Sequence, residues 1–101
     1  MRTAFIETLL KEAKTNPDIW LICGDLGFSV LEPFEKNFPS RFLNAGIAEQ
    51  NMAGVAAGIA SMNKTVLTYS IANFPTVRSL EQIRNDICYH NLNVKIVAVG
   101  S

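Results

Sequence analysis

The chain has 101 residues, 49% of them apolar, with nine basic and nine acidic side chains and a formal net charge of zero. That length holds one domain with a real core, and the charge balance argues against a nucleic-acid or membrane-surface partner, since both call for surplus Lys and Arg. No apolar run approaches the roughly 20 residues that cross a bilayer, the N-terminus lacks signal-peptide pattern, and Cys23 and Cys88 are too few for a disulfide framework. A reduced, cytoplasmic protein is the expectation.

In chain order, Thr3 to Lys14 places Ile6, Leu9, Leu10 and Ala13 at helical spacing, with Glu7, Lys11, Glu12 and Lys14 between them. Asn16-Pro17 ends that helix, because the residue before proline is pushed out of the α region. Ile19 to Cys23 is a short, wholly apolar run that reads as a strand buried on both faces. Gly24-Asp25-Leu26-Gly27 breaks it, Leu31 to Asn37 reads as a short helix closed by Pro39, and Phe42 to Asn44 as a brief second strand. A helix follows from about Ile47 to Met62, with Asn63 at its C-terminal end. Its run of small apolar residues from Ala53 to Ala60 predicts close packing on all sides. Thr65 to Tyr69 is β-branched and apolar, hence a strand. Ser79 with Gln82 three residues later is a capping box, opening a helix whose stripe is Leu80, Ile83 and Ile87 and whose Arg78, Glu81, Arg84 and Asn85 point elsewhere. Val94 to Val99 is the last strand.

Uniformly hydrophobic strands alternating with helices imply an α/β fold, a mostly parallel sheet with helices on both faces. Right-handed crossovers put the strand-to-helix loops along one edge, where ligands of such sheets bind. Asp25, after the first strand, and the loop from Ser70 to Thr76 should therefore face the same side. The chain stops at Gly100-Ser101 directly after a strand, which reads as a fragment of a longer domain.

Common phosphate-loop, nucleophile-elbow and metal-binding spacings are absent from the sequence. His90 reads as a polar helix terminus, with Asp86 four residues earlier as a pairing partner. Gly54-x-x-x-Gly58 is a close-packing device. Asp25, between turn-forming glycines, is by default a turn residue or helix cap. Glu49 is harder to explain away. It sits in the opening turn of a helix nearly free of charge, where the helix dipole favours it and the apolar residues behind it desolvate it. A carboxyl group held between those influences needs a partner and suits proton sharing with a weakly basic ring nitrogen.

These residues carry a resemblance. From Arg2 to Gly100 the chain resembles the pyrimidine-binding domain of the transketolase family of thiamine diphosphate enzymes, and most of all the small, split transketolase-like subunits. The resemblance rests on Gly24-Asp25-Leu26-Gly27, on Phe38-Pro39-Ser40-Arg41-Phe42 leading into Gly46-Ile47-Ala48-Glu49-Gln50-Asn51-Met52, and on Asn73-Phe74, Arg78, Glu81-Gln82-Ile83-Arg84 and Asn93-Val94-Lys95-Ile96-Val97. It implies that Glu49 hydrogen-bonds the N1′ position of the cofactor's aminopyrimidine and activates it, the cofactor then serving as electron sink for a two-carbon ketol fragment passed between sugar phosphates. It implies that Phe74 lines the pyrimidine pocket. Ile71 falls where many relatives place a stacking phenylalanine and offers an apolar wall without ring contact. Asp25 matches an aspartate near the cofactor.

The family's Gly-Asp-Gly motif for the diphosphate and its Mg²⁺ is missing here, so the resemblance implies a partner chain that holds both, an oligomeric assembly with the site between subunits, and an inactive isolated chain. Residues 1–101 would be the N-terminal part of the pyrimidine domain. Two alternatives stay open: a deoxyxylulose-phosphate synthase or a 2-oxo acid dehydrogenase β-type subunit on the same domain, and a non-catalytic assembly domain that keeps the fold. A generic nucleotide-binding domain ranks behind both for want of a glycine-rich loop.

Overall fold

The most apolar runs become the centre of the sheet. In the computed structural model, which describes residues 2–100, β1 (Ile19–Cys23) and β3 (Thr65–Ile71) pair in parallel from Ile19 opposite Thr65 to Cys23 opposite Tyr69. The short β2 (Phe42–Asn44) flanks β1 and β4 (Val94–Val99) flanks β3, giving the order β2-β1-β3-β4, parallel throughout. The bounds of β1, β2 and β4 are those the sequence predicts; β3 runs two residues further.

Alternation along the strands divides the core between the two faces. Ile19, Leu21, Cys23 and Tyr69 meet α1 (Arg2–Thr15) through Ile6, Leu9 and Ala13, and α2 (Glu32–Asn37) through Phe34. On the other face Ile22 and Val66 meet Met52, Ala56 and Ala60 of α3 (Glu49–Ala60). No helix among the described residues is long and apolar enough to cross a membrane.

Four sequence expectations need correcting. First, α3 is not enclosed on all sides: Gln50, Asn51 and Gly58 are exposed, and Gly54, Ala57 and Gly58 floor an open groove walled by Asp86, His90 and Leu92. Second, among the described residues the two central strands are the ones buried on both faces, and β4 has Lys95 and Ala98 in solvent. Third, the capping box does not form. The Ser79 hydroxyl donates to the Phe74 carbonyl at 3.0 Å, and the segment winds as a 3₁₀ turn (Val77–Ser79), a single α turn, α4 (Leu80–Gln82), and a π-helical stretch (Ile83–Cys88). The wider π turn shifts the side-chain register, so Ile87 is buried while Leu80 stays exposed. Fourth, Asp86 does not pair with His90; the His90 ring meets Tyr89 edge-on at 5.2 Å. Of the two cysteines, Cys23 is buried and Cys88 exposed.

The turn into α2 is fixed by charge. The Ser29 N–H, on a residue with φ 64°, donates to Glu32 Oε2 at 2.6 Å, and backbone N–H groups from Ser29 onward hold the Glu32 carboxyl below its ordinary range. A lowered folded-state value means that Glu32 stabilises the fold above its unfolded value and that this support fades as pH falls through the folded one. Glu32→Gln is therefore expected to unfold more easily than the parent near neutral pH, with the gap closing in acid; thermal melts across that pH series check it.

Candidate functional site

Parallel strands bring three loops to one edge, and the chain's own turn chemistry shapes them. Asn44, at the end of β2, accepts the N–H groups of Asp25 and Gly46 at 2.9 Å each and donates to Asp25 Oδ1 at 3.2 Å. Asp25 (φ 55°) and Gly46 (φ 73°) both need the left-handed region, which Gly, Asn and Asp tolerate best. This clasp ties the β1 loop to the β2 loop and delivers the chain into α3 at Glu49. Asp25 thus lies on the expected edge, as a turn residue bound to Asn44.

Glu49 is only 4% exposed. Its Oε1 accepts a hydrogen bond from Arg78 Nη1 at 3.1 Å, while the Arg78 side chain is 54% exposed. The same guanidinium lies 4.0 Å above the centroid of the Phe74 ring, within cation–π range. Gln50 Nε2 donates to the Arg78 carbonyl at 3.1 Å. Among the described residues no hydrogen bond reaches Glu49 Oε2.

Beside Glu49, Gly24 brings the end of β1 close to polar groups of the neighbouring loops. A Cβ placed on Gly24 would lie 3.5 Å from Ser70 Oγ, 3.5 Å from the Gly46 carbonyl and 3.7 Å from Glu49 Cγ. Ser70 is fully buried and its hydroxyl has no partner, which carries a desolvation cost. Ile71 turns the other way, lining a concavity toward α1 with Phe5, Tyr69 and Val99. The structure therefore brings Glu49 and Phe74 together through Arg78, and leaves Asp25 and Ile71 at the margins.

Around this edge the surface is apolar. Phe28, Ile47, Ile71, Val77 and Leu80, on segments that leave β1, β2 and β3, are between 42% and 82% exposed. Large exposed apolar patches mark contact surfaces. No three His, Cys, Asp or Glu side chains gather to hold a metal ion among the described residues. Cys23 is a core residue: burial pushes its thiol up, the reverse of what a nucleophile needs.

Sequence reasoning gave no role to Arg78, Ser70 or Asn44. Arg78 is the first long cation after β3, and that was the available signal. Nothing in the sequence marks the other two.

The family model described as "Transketolase, pyrimidine binding domain" matches residues 1–101. A protein of Methanocaldococcus jannaschii assigned as a transketolase C-terminal section is 46% identical over 99 residues, covering 97% of this chain and 31% of that protein. One of the subunits of the apulose-4-phosphate transketolase of Phocaeicola vulgatus is 41% identical over 100 residues, covering 98% and 32%. Among solved structures, a split gene transketolase in an inactive beta4 tetramer superposes with a TM-score of 0.86 at 45% identity, covering 96% of this chain and 33% of that one. The chain spans about a third of the length of these relatives.

Proposed function

This chain belongs to the transketolase family of pyrimidine-binding domains, and on that premise we propose that it supplies the aminopyrimidine half of a thiamine diphosphate site in a transketolase-like enzyme that moves a two-carbon ketol unit between sugar phosphates. One observation carries the reading: Glu49 is a nearly buried carboxylate, at the start of α3 and inside an apolar rim, with one oxygen that no protein group engages. The chain itself meets this carboxylate with one side-chain hydrogen bond, and a ligand with a matching donor would complete its hydrogen bonding.

The residues fit the group. Thiamine diphosphate supplies, when bound, a carbanion-stabilising thiazolium ring that acts as an electron sink. Glu49 would hold a proton at the N1′ atom of the aminopyrimidine, and its fixed place on α3 orients that contact. Phe74 offers the ring a flat apolar face, while Ile71, which lines the concavity toward α1, offers it none. Asp25 serves indirectly, by clasping the loop through Asn44. The apolar rim, once covered by a partner chain, excludes water and strengthens each polar contact inside. That partner would carry the diphosphate and its Mg²⁺. Residues 1–101 would form the N-terminal part of the pyrimidine domain, in a cytoplasmic oligomer.

A second reading, a non-catalytic assembly domain, draws on two observations: Glu49 already has Arg78, and Ile71 faces away. Calorimetric titration of thiamine diphosphate and Mg²⁺ into the chain with its diphosphate-binding partner decides between them. Saturable, metal-dependent binding is the expected result, and silence would leave the assembly domain standing. Assaying the complex with a ketose phosphate donor against pyruvate then separates transketolase from the deoxyxylulose-phosphate synthase and 2-oxo acid dehydrogenase alternatives.

A further inference from the structure

Arg78 makes two contacts that the proposed function assigns to the aminopyrimidine. Its guanidinium is planar and cationic and lies 4.0 Å over the Phe74 ring. It also presents an N–H to Glu49 Oε1 at 3.1 Å. A ring stacked on Phe74 and hydrogen-bonded to Glu49 would need the same space. We propose that Arg78 is a stand-in for the ring, closing the seat in the free subunit and swinging out when the ring enters; the inference rests on the function proposed above.

The surroundings suit such a latch. The Arg78 side chain is 54% exposed, so its way out leads into solvent. Its backbone is pinned, with the N–H donating to the Asn73 carbonyl at 3.0 Å and the carbonyl accepting from Gln50 Nε2 at 3.1 Å. Opening therefore needs only side-chain rotation. The closed form also spares Glu49 from being a buried, unpaired charge before a ligand arrives, the situation that makes broken buried pairs so unfavourable. A ligand that binds only the open form has its affinity reduced by the fraction of molecules that are open.

The test uses the full chain and 4-amino-5-hydroxymethyl-2-methylpyrimidine, the ring without the diphosphate, titrated with NMR detection. Arg78→Ala is expected to bind about three- to tenfold tighter than the parent, the range set by losing one half-exposed ion pair and one cation–π contact as competitors. Arg78→Lys, which keeps the charge but not the plane, should fall between. In the parent the Arg78 Nε–H resonance should move toward that of a free arginine at saturation, and Glu49→Ala should shift it the same way without ligand. Equal or weaker binding by Arg78→Ala, including none, overturns the latch. Failure of the underlying function shows separately, as silence of the partnered complex toward thiamine diphosphate and Mg²⁺; binding there with no gain from Arg78→Ala overturns the latch alone.

Discussion

Glu49→Gln is expected to lower kcat of the reconstituted complex by about 10²- to 10⁴-fold, the range over which a positioned acid–base group contributes, while leaving the chain folded. The amide keeps the shape of the carboxyl and an oxygen that can still accept from Arg78 Nη1. What it loses is the ability to take up and hold a proton at the ring nitrogen. Arg78, more than half exposed, is not stranded by the change, because water can solvate it. Steady-state kinetics at saturating cofactor and a thermal melt of the variant chain make the check together. Near-normal turnover in a folded variant would remove Glu49 from the mechanism.

The second large effect is on stability and comes from the opposite face of the sheet. Phe34→Ala is expected to cost about 3–5 kcal/mol, the range for emptying a buried phenylalanine site. Phe34 is fully buried among Leu9, Leu31 and Leu21, and its ring lies 5.2 Å from that of Phe38. Phe38 in turn carries the Arg41 guanidinium 4.2 Å above its face. Arg41 donates to the carbonyls of Ala13 and Asn16 at 3.2 and 2.9 Å, and at 3.4 Å to that of Ile19. Removing the Phe34 ring therefore undermines α2 and the junction of α1 with β1 together. Small domains hold about 5–15 kcal/mol in all, so roughly a fifth of the stability or more would go. Chemical denaturation with a common m-value checks it; a loss below about 1 kcal/mol would mean that the site collapses and refills.

Much of this fold was legible because burial writes itself into composition. β1 reads as a strand because Ile19 to Cys23 has no polar member, and the parallel order follows from strands of that kind alternating with helices. Glu49 was legible for the converse reason, a single charge at the head of an apolar helix. The Glu49–Arg78 pair was not, because it joins residues 29 apart through the path of the Ser70–Thr76 loop, which periodicity does not encode. The capping box misled for a local reason: Ser79 had another acceptor within reach, the Phe74 carbonyl, and side-chain hydroxyls take whichever backbone group the turn offers. The open flank of α3 escaped notice because small residues signal that close approach is possible, without saying that anything approaches.

The bare apolar rim has a consequence for how the molecule behaves in solution. Phe28, Ile47, Val77 and Leu80 all face water in the lone chain, and adhesive surface of this kind joins whatever apolar face it meets first. A domain left with this rim bare would gather with its own copies, so self-association that rises with concentration is what the surface chemistry leads to.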